Sequence, residues 1–172
     1  NMIYFLLLGL GFMLIEMTYI QKMQLYFNNP MLAITIVIAT FLIFAGLGSA
    51  FSYKMFPLKV KKLLFIIFFI SIICFFIQMH LFIHLLGTSM AIKLVAMVTF
   101  IAPQAFLLGM PFPLGLTLLT RSMPVMIPWA WGMNGAASVI AAILAVLLLA
   151  HFSLNMVLLL GAVIYLLAIL FV

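Results

Sequence analysis

Long apolar runs separated by short polar stretches are the dominant pattern of this chain. The runs cover residues 3–20, 31–51, 63–86, 91–108, 129–150 and 154–172. Each is close to the roughly 20 residues that an α-helix needs to cross the hydrocarbon core of a bilayer. A membrane β-barrel would alternate apolar and polar residues, whereas residues 63–77 are apolar at every position except Ser71. The pattern predicts an all-α fold, a polytopic membrane bundle of six transmembrane helices.

The composition excludes a water-soluble fold. Of the 172 residues, 70% are hydrophobic and 5% are charged, whereas about a quarter of the residues in an average soluble domain are charged. Six spans with short loops use the whole length, so we expect residues 1–172 to form a single transmembrane domain. The chain opens on apolar sequence without a basic leader or a small-residue cleavage site, which is typical of a part of a longer protein.

A segment rich in helix-breaking residues follows the fourth run. Residues 103–128 contain prolines at positions 103, 111, 113, 124 and 128 and glycines at 109 and 115. Because proline removes a backbone donor and disfavours helix just before it, the fourth helix should kink or stop here, with residues 109–115 non-helical. Irregular backbone at membrane depth must be surrounded by protein or water, so this segment, which also carries Gln104, is a candidate binding region. The alternative is a short interfacial elbow between two ordinary spans.

The basic residues are unevenly distributed along the chain. The net charge of +6 comes from seven Lys and Arg residues against a single acid. Four of the seven lie in the 52–62 loop, and they are Lys54, Lys59, Lys61 and Lys62. Such a cluster is typical of a cytoplasmic membrane-protein loop, and we do not expect nucleic acid as a partner. The 52–62 loop and the C-terminus are therefore predicted to be cytoplasmic, with Lys22 and Lys93 near the outer face.

Glu16 is the only acid in the chain and lies inside the first apolar run. An ionised carboxylate in hydrocarbon is costly unless it is paired or faces water. We expect it near the last turn of the first span, with Lys93, His80, His84 or a cationic ligand as its partner. The alternative is an interfacial carboxylate that merely reaches water.

The histidines are weak candidates for metal binding. His80 and His84 are four residues apart, which places them on one helix face, and His151 is expected at the same outer side. No acid or thiolate is close to them in sequence, since Cys74 is the only cysteine. We therefore expect ordinary interfacial histidines, no metal site and no cofactor.

Small and polar residues recur at helical spacing in the fifth run. Gly132, Ala136, Ala137, Ala141 and Ala145 would let another helix approach closely. Asn134 and Ser138 share one face and are either helix-linking or ligand-binding groups. A similar patch on the second run, formed by Ala45, Gly46, Gly48 and Ser49, is a candidate to face them. Trp129 and Trp131 are expected at the headgroup level.

Catalytic motifs are missing from the sequence. It contains no phosphate-binding loop, no nucleophile elbow and no His-Glu-x-x-His motif. With one acid it cannot perform two-carboxylate chemistry or hold magnesium. We therefore expect a chain that is not an enzyme by itself.

Four strings along the chain are distinctive. Residues 9–30, 44–49, 109–116 and 128–139 read GLGFMLIEMTYIQKMQLYFNNP, FAGLGS, GMPFPLGL and PWAWGMNGAASV. In this order they resemble the membrane portion of bacterial spermidine-synthase-like proteins, in which a polytopic membrane region is fused to a domain similar to the aminopropyltransferases. The resemblance covers nearly the whole chain and implies a multi-pass domain of the bacterial inner membrane.

The resemblance also implies a set of motif residues. They are Glu16, Gln21 and Lys22, then Pro111, Phe112, Pro113 and Gly115, then Trp129, Trp131, Asn134 and Ser138. The soluble domain of the family, with its decarboxylated S-adenosylmethionine site and acidic polyamine pocket, has no counterpart in this sequence. Aminopropyl transfer is therefore not implied for this chain.

These observations favour a non-catalytic membrane domain that anchors a partner or binds a small cationic ligand near Glu16. A structural subunit of a larger membrane complex is the first alternative, favoured by the small-residue faces. A small secondary transporter is the second, favoured by the broken helix, although one acid is little for ion coupling. The expected partners are the lipid bilayer and either other membrane subunits or an associated soluble domain.

The orientation can be tested by cysteine labelling. Because the 52–62 loop carries the densest positive charge, a cysteine introduced at Lys61 should be labelled by an impermeant maleimide only after the cells are opened. Labelling from the outer face of intact cells would reverse the orientation.

Overall fold

The chain forms seven helices in the residues that the structure, a computed structural model, describes, namely 2–55, 60–85 and 87–172. The helices are α1 Met2–Phe27, α2 Pro30–Phe51, α3 Val60–Leu85, α4 Met90–Leu108, α5 Pro111–Ser122, α6 Ile127–His151 and α7 Leu154–Ala168. Six segments are long and apolar enough to span a membrane, α4 and α5 together forming the fourth. The prediction of an all-α membrane bundle is confirmed. Residues 56–59 of the predicted basic loop, Lys59 among them, lie outside the described residues.

The first span is longer than the sequence pattern predicted. α1 continues beyond residue 20 as far as Phe27, and the chain then turns at Asn28, whose φ is 50°. The side chain of Asn29 accepts a hydrogen bond from the Leu32 N–H at 3.1 Å, and Pro30 opens α2. An Asn cap followed by proline is a favourable helix start. The polar residues after position 20 therefore belong to α1, and the predicted position of Glu16 in its last turn is wrong.

The proline-rich segment is far more helical than predicted. α4 runs through Pro103 to Leu108, and only residues 109–110 separate it from α5. Pro111 and Pro113 both lie in the first turn of α5, where a missing backbone N–H costs little because the helix itself would leave it unpaired. The prediction that residues 109–115 are non-helical is therefore wrong for 111–115.

Helix α1 lies at the centre of the bundle and packs against α2, α6 and α7. A Cβ atom on Gly9 would overlap the backbone oxygen of Asn134 in α6. A Cβ atom on Gly11 would lie 2.8 Å from the ring of Tyr165 in α7. Both neighbours approach α1 this closely only because these positions lack a side chain.

A second close crossing joins α2 to the end of α4. A Cβ atom on Gly48 would overlap the carbonyl of Phe106, and one on Gly109 would overlap the carbonyl of Ala45. The break between α4 and α5 is thereby held against α2. Helix α5 then packs against the first turns of α1, where the Tyr4 hydroxyl donates a hydrogen bond to the Pro111 carbonyl at 2.7 Å.

The alternation of the spans places the described basic residues on both faces of the bundle. Lys54, Lys61, Lys62 and Arg121 lie toward the end that carries the N-terminus of α1. The turns at residues 28–29, 87–89 and 152–153 lie at the opposite end. Which of these ends faces the cytoplasm stays a prediction.

The α2–α4 crossing predicts a sharp difference between two glycines of α2. Gly48→Ala should destabilise the protein by about 1–3 kcal/mol, because the new methyl group meets backbone and not a movable side chain. Gly46→Ala is the matched control, since its Cβ atom meets nothing within 4 Å, and should be neutral or stabilising by up to about 1 kcal/mol. Unfolding of both variants in detergent measures this, and equal stability would contradict the close crossing.

Candidate functional site

A cavity of about 590 Å³ lies beside α1, between α2 and α6. Its volume is within the range of small-molecule sites, roughly 300–1,000 Å³. Five regions of the chain line it. They are residues 8–16 of α1, 41–49 of α2, 108–112 around the α4–α5 break, 131–138 of α6, and Tyr165 of α7.

Glu16 is the only ionisable carboxyl group on the cavity wall. At a rise of 1.5 Å per residue it is about 21 Å from the start of α1 and about 17 Å from its end, so it lies near the middle of the span. Its side chain is only 9% exposed. Among the residues that the structure describes, none forms a hydrogen bond or an ion pair with its carboxylate.

The partners that the sequence suggested for Glu16 are elsewhere. The Lys93 ammonium lies over the ring of Tyr26, 5.1 Å from its centroid. His80 and His84 are exposed on α3. The prediction of a protein cation beside Glu16 is therefore wrong for these three residues. Glu16 lies near the middle of α1 and not at its end, so its position does not fit the alternative of an interfacial carboxylate.

Two neutral polar residues of α6 line the cavity beside α1, and the amide of Asn134 also bonds α6 to α1. The Asn134 Nδ2 atom donates to the carbonyl oxygen of Phe5 at 3.0 Å. The Ser138 Oγ atom donates to the carbonyl oxygen of Asn134 at 2.9 Å. The two residues therefore share one helix face, as the spacing predicted, and combine a packing role with a position on the wall.

Aromatic rings form much of the remaining wall. Phe12 and Phe41 pack edge to face with centroids 5.6 Å apart, and Phe112 and Trp131 do the same at 4.7 Å. Trp131 is 59% exposed, so its ring borders the outside of the bundle as well as the cavity. A carboxylate beside aromatic rings is a combination suited to an organic cation.

The two small-residue patches both contribute to the cavity without packing on each other. Ala45, Gly46 and Ser49 line it from α2, and Asn134 and Ser138 line it from α6. The alanines of α6 at positions 137, 141 and 145 are buried in the bundle and do not line the cavity. The space between the patches is the cavity itself.

Gln104 lies in a separate network inside the helix bundle. Its Oε1 atom accepts a hydrogen bond from the Tyr19 hydroxyl, and its Nε2 atom donates to the Ser71 Oγ atom at 2.9 Å. Ser71 in turn donates to the Ile67 carbonyl at 2.8 Å. The network joins α1, α4 and α3 and does not line the cavity. Tyr19 was not identified from the sequence as a polar group of the bundle, although a hydroxyl inside an apolar run is a recognisable signal.

Lys22 lies in a third polar cluster, nearer the end of α1. The Lys22 Nζ atom donates to the Asn155 Oδ1 atom at 3.2 Å, and the Gln78 Nε2 atom donates to the same oxygen at 3.2 Å. The cluster links α1, α7 and α3. Gln21 is half-buried beside Lys22 in α1. Neither Asn155 nor Gln78 was identified from the sequence, because single amides near span ends are common.

The remaining motif residues shape the neighbourhood of the cavity without lining it. The Pro111 carbonyl accepts from Tyr4, and the Pro113 carbonyl accepts from the Thr117 hydroxyl at 2.9 Å. Trp129 is 66% exposed on the surface of α6. The prolines thus position Phe112, which lies between them and does reach the cavity.

The described residues contain no group of three His, Cys, Asp or Glu side chains placed to hold a metal ion. His80, His84 and His151 are all exposed. The structure therefore adds nothing in favour of a metal site at the histidine pair.

The fold and the cavity define a polytopic α-helical membrane protein with a single carboxylate at mid-span. Comparison of the chain with protein-family models, with curated proteins and with solved structures gives no match.

The Gln104 network predicts a purely structural effect. Gln104→Leu should lower the stability by about 1–2 kcal/mol, because it removes two interhelical hydrogen bonds from the buried network. The control Gln21→Leu alters a half-buried amide of α1 and should change the stability by less than about 0.5 kcal/mol. Unfolding in detergent provides the measurement, and an unchanged stability of Gln104→Leu would mean that the network contributes nothing.

Proposed function

We propose that this chain is an integral membrane domain that binds a small organic cation in the cavity, with Glu16 as the counter-charge. One observation carries the proposal: a buried mid-span carboxylate faces a ligand-sized cavity and has no partner among the described residues. Chemistry on the ligand is not part of the proposal, because the sequence offers no catalytic motif.

The energetics of a charge in the membrane support the proposal. Insertion scales assign about +2.5 to +3.5 kcal/mol to a carboxylate at the centre of a span. A bound cation offsets this cost by direct attraction in a medium of low dielectric constant. A carboxylate without a ligand would destabilise the folded protein at a position where a neutral residue would carry no such cost.

The resemblance noted in the sequence is consistent with this site. Each of the four distinctive strings contributes wall residues, for example Glu16, Ser49, Phe112 and Asn134. This convergence supports the proposal that the chain is the membrane part of a spermidine-synthase-like protein in a bacterial inner membrane. In that arrangement the domain anchors a soluble domain or partner while holding a cation of its own.

A structural subunit is the second candidate function, and α6 supplies the observation that favours it. Gly132 and Gly135 are exposed, and a Cβ atom on either would meet nothing within 4 Å. A helix of another chain could approach α6 closely along this surface.

Glu16→Gln is the variant that tests the proposed function. We expect the purified full chain to bind radiolabelled tetraphenylphosphonium, and Glu16→Gln to lose at least about 90% of that binding because the neutral amide cannot balance the charge. The melting temperature should stay within about 3 °C of the wild-type value, because no described residue is bonded to the carboxylate.

Two outcomes contradict the proposed function. Equal binding by the wild type and Glu16→Gln, or no binding by either, would exclude Glu16 as a cation ligand. A large loss of thermal stability or release of a partner chain from Glu16→Gln would instead make the carboxylate a structural group and favour the second candidate.

A further inference from the structure

We propose that the cavity is built for a monovalent organic cation with an apolar body, and that a polyamine is a poor ligand for it. This inference rests on the proposed function and narrows its ligand. It separates the membrane domain from the polyamine chemistry of the family that the sequence resembles.

The charge of the wall sets the first limit. Glu16 is the only acid in the sequence, and the whole chain carries a net charge of +6. The other polar side chains on the wall, such as Ser49, Asn134 and Ser138, are neutral. One carboxylate balances one ammonium group, and each further ammonium of a polyamine would be buried without a counter-charge.

The neutral polar groups cannot replace the missing carboxylates. The Asn134 amide is bonded to the Phe5 carbonyl, and the Ser138 hydroxyl is bonded to the Asn134 carbonyl. Both bonds use donor atoms, and the acceptor oxygens that remain on these side chains are neutral, so they cannot balance the charge of a second ammonium group. An extended polyamine needs charged acceptors along its whole length, whereas the polar groups of this wall other than Glu16 are few and neutral.

The apolar wall favours a ligand with a hydrocarbon or aromatic body. Phe12, Phe41, Phe112 and Trp131 line the same cavity as Glu16. Aromatic rings attract a cation through their faces. Contact between the rings and apolar groups around the charge also stabilises the complex. A protonated amine or quaternary group that carries an apolar body uses both properties of this wall.

The cavity opens to the side of the bundle at mid-span. Leu42 on the α2 wall is 70% exposed, and a Cβ atom on Gly46, one turn further along, would meet nothing within 4 Å. Helices α2 and α6 each pack against α1 but not closely against one another. A ligand can therefore enter from the bilayer, which amphiphilic monovalent cations enter far more readily than polyamines do.

A matched pair of amines tests the inference. Tetraphenylphosphonium serves as the labelled probe on the purified full chain, and hexylamine and hexamethylenediamine compete for its site. These two molecules share one carbon chain and differ by a single ammonium group. We expect hexylamine to displace the probe at a concentration about tenfold or more below that needed for hexamethylenediamine or spermidine.

Two controls make the result interpretable. Hexanol has the same apolar body without charge and should displace the probe poorly. Glu16→Gln in the same detergent measures the background of probe that dissolves in micelles. Gly46→Leu places a larger side chain at the cavity mouth and should weaken probe binding, although Glu16 is still present.

The outcomes that would overturn the inference are distinct. Displacement by spermidine or the diamine at or below the hexylamine concentration would overturn this inference and leave the proposed function standing. Displacement by hexanol as readily as by hexylamine would overturn both, because the cavity would then bind apolar molecules without regard to charge. Equal probe binding by the wild type and Glu16→Gln would also overturn both.

Discussion

The close approach of α6 and α7 to α1 is the contact on which the rest of this structure depends. Gly9 and Gly11 lie only two residues apart and provide the space for both neighbours. α6 and α7 are held closely against α1 at this level, and a gap remains between α2 and α6. The cavity is that gap, so side chains at two glycine positions would disturb packing and site together.

The polar groups within the spans differ in what they are bonded to. Several neutral groups form bonds between helices, as Tyr19 does with Gln104 and as Asn134 does with the Phe5 backbone. In hydrocarbon such bonds stabilise helix contacts modestly and fix which faces meet. Glu16 is different, because its carboxylate lies on a cavity wall and is bonded to none of the described residues. A charge that the bundle does not neutralise is the strongest sign of a role beyond packing.

The proline segment shows how local chemistry and position combine. Pro111 and Pro113 begin a helix where the sequence pattern predicted that they would interrupt one, since the first turn needs no N–H bonds. The actual break is two residues long, and Gly109 holds it against Ala45 of α2. This contact places Phe112 at one end of the cavity.

The sequence by itself determined the fold class, the six spans and the presence of a single acid within the first span, because length, apolar content and charge can be read without coordinates. Only the tertiary structure decided that Asn134 and Ser138 reach the same cavity as Glu16 while Gln104 and Lys22 belong to other clusters. Helical spacing tells which residues share a face of one helix, but nearly uniform apolar spans carry little information about which faces meet. That choice depends on where glycines let backbones approach, and it appears only when all the helices are packed together.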